Sequence, residues 1–329
     1  MEIRKLTTTD LEKLYAFNQK IYPERKIPYK EYIDFWLSKS EDEIGLNLIL
    51  VDESNDIHGQ ILSSSMSYFY KGEKHDSLWG FDFIVEESLR KDNWGVDFLI
   101  KRNSLFPVSF GTGVAPKALK IHLLLKYYQL GNILKFVGIS NPLWLLSSIG
   151  RGIIPPSKYP IEVKVNNYRY QRISCDDFPD VSTPYNNDFW EPSRDKSYMR
   201  WRFSNRLHEY AIYKDVASND FFVVRTVSFK HVTVLMLVDY RCDMANPDSL
   251  SRIIRAVKKI TNRIHISVIV VGSSLGKVDE VLQKHHFYKT GNPWPIIGRM
   301  NVKECKNNIQ NRNFAFVTFA DSDGETDIF

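Results

Sequence analysis

Residues 81 to 96 read Phe-Asp-Phe-Ile-Val-Glu-Glu-Ser-Leu-Arg-Lys-Asp-Asn-Trp-Gly-Val. The order is an apolar strand ending at Val85, an acidic turn, the basic pair Arg90 and Lys91, a turn at Asn93 and Gly95, and then a helix. A strand that runs into a helix N-terminus aims unpaired backbone N–H groups and the positive end of the helix dipole at one point. A pyrophosphate is the natural occupant of such a cradle. Asn93 and Gly95 both tolerate left-handed backbone angles, and Gly95 lets a ligand oxygen come close to the main chain.

Composition narrows the setting of this motif. The 329 residues are 43% hydrophobic and 25% charged, the balance of an ordinary globular protein with length for two cores. The opening Met-Glu-Ile-Arg-Lys-Leu-Thr has no apolar stretch after its charges, so no signal peptide is expected. The longest apolar runs, such as Ile266 to Val271, fall far short of a membrane span. A cytoplasmic, non-membrane protein is therefore expected. Cys175, Cys242 and Cys305 show no paired spacing, and no histidine pair shares a helical face with a carboxylate, so neither disulfides nor a metal is expected. The net charge of +5 is diffuse. Its densest patch surrounds an apolar stripe of Ile253, Ile254, Val257 and Ile260, which reads as a solvated helix face and not as a nucleic-acid surface.

Outward from the cradle, the pattern predicts strands at Glu2–Leu6, Leu46–Val51 and Gly59–Tyr70, with helices at Leu11–Ile21 and Tyr29–Leu37 between the first two. After the cradle come a strand at Val108–Gly111, a helix at Pro116–Leu130 and a strand at Ile133–Ile139. From Asn141 to Trp190 the pattern dissolves into Pro, Ser, Asn and Tyr, with strand-like pieces at Ile161–Val165 and Tyr168–Ile173. Beyond it the same core order, three strands, helix, strand, helix, strand, is repeated up to Met300. The junction equivalent to the cradle, Val238 to Ser249, contains no glycine, so a phosphate is not expected there.

The spacing Arg90-x-x-Asn93-x-Gly95, between a strand and a helix, resembles the pyrophosphate loop of the GNAT superfamily of CoA-dependent N-acyltransferases. Asn93 stands where the family has Gly. The element order resembles the same fold in both halves. The resemblance implies a mixed α/β protein of two tandem GNAT-like domains, each a twisted mixed sheet flanked by helices. A CoA-binding domain is expected over 1–150, a connector over 151–190 and a degenerate acceptor platform over 191–329. It implies that Phe83, Ile84 and Val85 line the pantetheine arm, while Arg90, Lys91, Asp92, Asn93, Trp94, Gly95 and Val96 hold the phosphates. Counting back from Gly131, taken as the helix C-cap, the family's acid Tyr falls on Tyr127, with a pair of core aromatics as the other reading. The family's base positions fall on Trp79 and Phe81, which cannot accept a proton. Strand alternation places Asp82 on the opposite face, leaving a water chain, Glu191 or Asp195 as the open choices.

Two further stretches bear on the acceptor. Arg194 to Phe203 places Arg200 and Arg202 around Trp201, near Tyr198, a grouping suited either to clamping a diphosphate and stacking a ring or to ordinary helix packing. Ser65 and Tyr68, on the Ser-rich strand, offer polar groups beside the expected thioester. Residues 191–203 and Val317–Asp323 resemble GNAT-like proteins of bacterial surface-polysaccharide pathways. This resemblance implies transfer of a short acyl or hydroxyacyl group, such as acetyl or 3-hydroxybutanoyl, from acyl-CoA to a nucleotide-linked amino sugar of the dTDP-3-amino-3,6-dideoxyhexose type. A FemAB-like peptidoglycan aminoacyl-transferase and a non-catalytic CoA or sugar-nucleotide binding module are the alternatives.

Overall fold

The computed structural model describes residues 1–145, 158–179, 183–204, 207–229, 232–300 and 312–324. Cys305 lies outside them. The chain divides into two compact units. The first comprises Met1–Tyr68, Lys74–Leu130 and Pro295–Ile309, the second Phe69–Glu73, Gly131–Trp294 and Gln310–Phe329. This division differs from the boundaries at 150 and 190 expected from sequence. Two long strands, β6 (Tyr128–Ile139) and β14 (Phe287–Arg299), each begin in one unit and end in the other.

In the first unit β1 (Glu2–Lys5), α1 (Leu11–Ile21) and α2 (Tyr29–Leu37) precede β2 (Leu48–Val51), β3 (Ile57–Tyr70) and β4 (Glu73–Val85). Then come α3 (Trp94–Leu105), β5 (Ser109–Thr112) and α4 (Pro116–Leu124). The strand order is β1-β2-β3-β4-β5-β14, with β4 and β5 parallel and β5 antiparallel to the end of β14. One core layer, with Leu48, Leu50, Ile61, Val85, Phe98 and Leu99, sits between this sheet and α3.

The second unit contains β7 (Glu162–Val165), β8 (Tyr168–Ile173), β9 (Glu191–Pro192), α5 (Lys196–Phe203), β10 (Ala211–Asp215), β11 (Phe221–Phe229) and β12 (Val232–Arg241). It continues with α6 (Pro247–Arg263), β13 (Val268–Ser273) and α7 (Gly276–Lys284). Its strand order is β6-β13-β12-β11-β10-β8-β7, so the strand-like pieces of the expected connector are a hairpin at the end of this sheet. The apolar run of β12 pairs in parallel with β13 from Val234↔Val268 to Leu237↔Val271, as a strand covered on both faces should. Across α6, Ile253, Ile254, Val257 and Ile260 are all fully buried while Arg255, Lys259 and Arg263 face solvent. Each such aliphatic side chain contributes about 1.5–3 kcal/mol by burial.

The units share a device at the last α-helix of each. Both α4 and α7 are followed by a residue with left-handed backbone, Lys126 at φ 65° and His286 at φ 60°, and then by a buried aromatic, Tyr127 or Phe287, at the start of a long strand. This ends α4 at Leu124, not at Leu130 as the position of Gly131 had suggested. Among the described residues no helix is long and apolar enough to cross a membrane.

In the second unit the ground around β12 and β13 is filled by the chain itself. Phe319 packs where a Cβ on Gly272 would stand, Tyr240 Oη donates to Gly272 O at 3.0 Å, and Val317 N donates to Ser274 Oγ at 2.8 Å. Beneath them Arg194 joins Asp239 (2.6 Å) to Asp321 (2.7 Å), and Arg241 (2.9 Å) and Thr318 Oγ1 (2.8 Å) complete the Asp239 carboxylate. Flanking guanidinium groups hold Asp239 below the ordinary aspartate range despite burial. Removing one partner of such a buried network costs about 3–5 kcal/mol. Asp239→Asn should therefore lower the denaturant midpoint of the second unit by a corresponding amount. A loss below about 1 kcal/mol would show that the network is not holding the C-terminal segment in place.

Candidate active site

The site is built from a pairing that stops early. Strands β4 and β5 are parallel neighbours only at Leu78↔Ser109 and Trp79↔Phe110. Past that point β4 continues to Val85, while β5 turns at Gly113 (φ 72°), whose N–H donates to Pro295 O at 2.9 Å. Gly111 lies at the point of divergence, where a Cβ would stand 3.3 Å from Gly80 O. The β5-facing edge of residues 81–85, which includes Phe83, Ile84 and Val85, is thereby left without a strand partner on that side among the described residues. A slot between two diverging strands results.

The slot leads to the N-terminus of α3. Asn93 is left-handed (φ 63°, ψ 7°) and caps the helix through its main chain, with no side-chain cap. Its carbonyl accepts from Val96 N at 2.8 Å and Asp97 N at 3.2 Å, which leaves the N–H groups of Trp94 and Gly95 without a carbonyl acceptor among the described residues. Gly95 itself is helical. What it contributes is the missing side chain, since a Cβ would touch the Phe83 ring at 3.5 Å and anything longer would enter the space in front of the amides. Arg90 is fixed by donation from Nε to Val85 O at 3.0 Å and, like Lys91 and Asp92, is exposed. The helix start in the second unit differs: at α6 the Asn246 side chain accepts from Asp248 N at 3.0 Å, so the protein caps that end itself.

A polar cluster lies beside the slot. Tyr127 is not on a helix. It is 2% exposed, and its hydroxyl donates to Asn103 Oδ1 at 2.8 Å with Ser109 Oγ at 3.0 Å. With that hydroxyl engaged, the ring is held edge-on to His122 at 4.8 Å. Counting back from Lys126, the actual left-handed position, by the interval that led from Gly131 to Tyr127 arrives at His122. Its Nδ1 lies 2.8 Å from Ala118 O, so Nδ1 carries the proton and Nε2 holds a lone pair. Burial, seconded by the charge of Arg102, pushes the imidazole down to about 4.

On the α1–α2 side, Trp79 and Phe81 are buried against Trp36 at ring separations of 5.0 and 4.5 Å. Asp82 breaks the strand alternation because its backbone is left-handed, at φ 42°. Its carboxylate meets Arg25 through two contacts of 3.2 Å, and Arg25 lies 4.1 Å over the ring of Tyr32, on the helix that also carries Trp36. Asp82 therefore shares a side with Phe81, which alternation alone denied, but its oxygens are engaged by a guanidinium. Ser65 N and Oγ both donate to the buried Glu43, and Tyr68 is buried against His75 at 5.3 Å. Both are occupied within the protein.

The expected clamp does not form. On a helix, residues two apart point to nearly opposite sides. Arg200 faces solvent and pairs with Asp176 at 2.8 Å, whereas Arg202 is fully buried and donates to Ala320 O at 3.1 Å. Trp201 packs edge-on to Tyr198, whose hydroxyl donates to Ala320 O at 3.2 Å. The group anchors the C-terminal segment of the second unit. Asp195 caps α5 by accepting from Tyr198 N. Glu191 is buried, its carboxyl is raised by desolvation, and its Oε1 accepts from Tyr185 N at 2.6 Å.

No family model matches the sequence, and no curated protein matches it. Solved structures do. A GCN5-related N-acetyltransferase from Anabaena variabilis superposes with a TM-score of 0.61 at 9% identity, over 90% of this chain and 72% of that one. The Saccharomyces cerevisiae N-myristoyltransferase with bound myristoyl-CoA gives 0.59 at 13% identity, over 96% and 89%. A probable N-acyltransferase from Enterococcus faecalis gives 0.61 at 8%, over 91% and 72%. The class so defined is one of fold: a mixed α/β protein of GNAT type over most of its length.

With its imidazole near 4, His122 should stay neutral through physiological pH. Its NMR signals should not titrate between pH 5.5 and 8, and its Nδ1 should be the protonated nitrogen. A midpoint near the ordinary value of about 6.5 would overturn this assignment.

Proposed function

We propose that the protein is an acyl-CoA-dependent N-acyltransferase with a single donor site, in the first unit. The observation that carries this reading is the slot between β4 and β5, which opens onto an α3 terminus with two unclaimed amides and no side-chain cap. In this reading the pyrophosphate of CoA sits on the Trp94 and Gly95 amides, with Arg90 and Lys91 adding positive charge. The pantetheine arm adds to the open edge of β4 along Phe83, Ile84 and Val85, and a main-chain N–H there polarises the thioester carbonyl.

The finer assignment is an acceptor amine on a nucleotide-linked amino sugar, acylated by direct attack of the neutral amine. Its support is the sequence resemblance of residues 191–203 and Val317–Asp323. Arg202 and Tyr198 among them are engaged by Ala320, and Arg200 pairs at the surface with Asp176, so the acceptor's contacts are to be sought elsewhere than at Arg200 and Arg202.

Calorimetric titration with CoA tests the donor site. Wild type should bind CoA, and Asn93→Val should weaken binding about tenfold or more, because a β-branched residue at this left-handed position costs about 1–3 kcal/mol. Gly95→Trp should abolish binding while leaving the thermal midpoint near that of wild type. No heat with wild type, or unchanged affinity in Gly95→Trp, would sink the proposal. Thiol release from acetyl-CoA with a panel of dTDP-amino sugars then tests the acceptor, and release with none of them removes the sugar assignment while leaving the donor site standing.

A further inference from the structure

In the first unit, Arg102 is 3% exposed, and among the described residues no carboxylate or carbonyl accepts from its guanidinium, with Nε and Nη2 both buried and unbonded. The titratable groups facing it are Tyr127 and His122, neither of them an anion as the structure holds them. An uncompensated buried charge costs several kcal/mol, and the second unit avoids that cost by facing Arg194 and Arg241 with Asp239 and Asp321. The position of Arg102 is also specific. Its guanidinium fills the place a Cβ on Gly80 would take, with Nη2 only 2.6 Å from that point, and Gly80 directly follows the last β4–β5 pair. The charge thus stands where the slot opens. The α3 amides lie at the other end, eight residues and about 12 Å away along the helix, so phosphates bound there do not neutralise it.

We propose that Arg102 is the counter-charge for the sulfur of CoA as it leaves. This rests on the donor-site reading above. In the transfer the amine nitrogen forms a bond to the thioester carbonyl carbon, the carbon–sulfur bond breaks, and its electron pair departs on sulfur. The proton lost by the amine passes to solvent, from which the thiolate is later reprotonated, so the step balances without an added reagent. Neither Tyr127, whose proton is directed at Asn103, nor His122, whose Nε2 carries none, is placed to supply that proton. A fixed positive charge serves the same end by stabilising the thiolate itself.

Binding of CoA against desulfo-CoA tests this, because both carry the same phosphates and only one carries the thiol. A nearby guanidinium lowers a thiol from its ordinary value of about 8.5. The ratio of CoA to desulfo-CoA affinity should then rise roughly five- to tenfold between pH 6 and 9 in wild type. The rise should vanish in Arg102→Gln and survive in Arg102→Lys. Gly80→Ala, which pushes the guanidinium aside, should reduce it. A flat ratio in wild type, or a rise that persists in Arg102→Gln, overturns the inference while leaving CoA binding intact. Failure of wild type to bind either compound overturns the donor site itself, and the inference with it. The wild-type profile decides the matter even if a variant fails to fold.

Discussion

The architecture of the first unit turns on the place where β4 and β5 stop pairing, after Trp79 and Phe110. Backbone N–H and C=O groups in a protein interior are normally all satisfied. A strand that continues to Val85 with one edge unpaired among the described residues therefore exposes polar main chain to whatever can enter. Several local features work to keep that edge open. Gly113 and its bond to Pro295 draw β5 toward β14, Gly111 lets the strands cross closely before they part, and the left-handed turn at Asp82 bends β4. Each is a backbone event, and together they convert an ordinary parallel pair into a slot that ends on a helix terminus.

The second unit shows what the same plan becomes when the slot is not kept. Its parallel pair is longer, from Val234↔Val268 to Leu237↔Val271, and its helix start is capped by Asn246. The C-terminal segment lays Phe319 against Gly272 and ties Thr318 to Asp239. The buried guanidinium groups of Arg194 and Arg241 there face the carboxylates of Asp239 and Asp321, whereas that of Arg102 in the first unit faces none among the described residues. The first unit keeps main-chain groups available at this place, and the second uses its side chains to close over the corresponding ground.

Much of this was legible in the sequence, and the failures share a cause. The turn before α3 was readable because Asn93 is a residue that adopts left-handed backbone readily, and it does. The end of α4 was not, because the left-handed residue is Lys126, a type that does not announce itself, while the nearby Gly131 invited the wrong count. That one displacement puts Tyr127 beyond the helix, beside the ring of His122, which the helix itself carries. Likewise the side chosen by Asp82 followed from perfect alternation, which a positive φ cancels. Of the two readings of Arg200 and Arg202, clamp or helix packing, the structure takes the second, because the helix turns these neighbours in sequence to opposite sides. Composition gave no hint of Arg102, since an arginine in a helix ordinarily reaches solvent.

The groups around the slot also bear on which amine the proposed reaction would accept. Trp79 and Phe81 stand where the sequence resemblance would put a base, and the carboxylate that does reach that side, Asp82, is held by Arg25. An amine arriving there must largely be neutral already. A lysine ε-amine, at about 10.4, is neutral in only about one molecule in 2,500 at pH 7, whereas an amine near 8 is neutral in about one in ten. The difference, roughly 250-fold in reactive concentration, favours an amine flanked by electron-withdrawing substituents. A sugar amine meets that condition and a lysine side chain does not. With an engaged carboxylate on the acceptor side and an unmatched guanidinium on the donor side, the proposed site is equipped to receive negative charge on sulfur rather than to remove a proton from nitrogen.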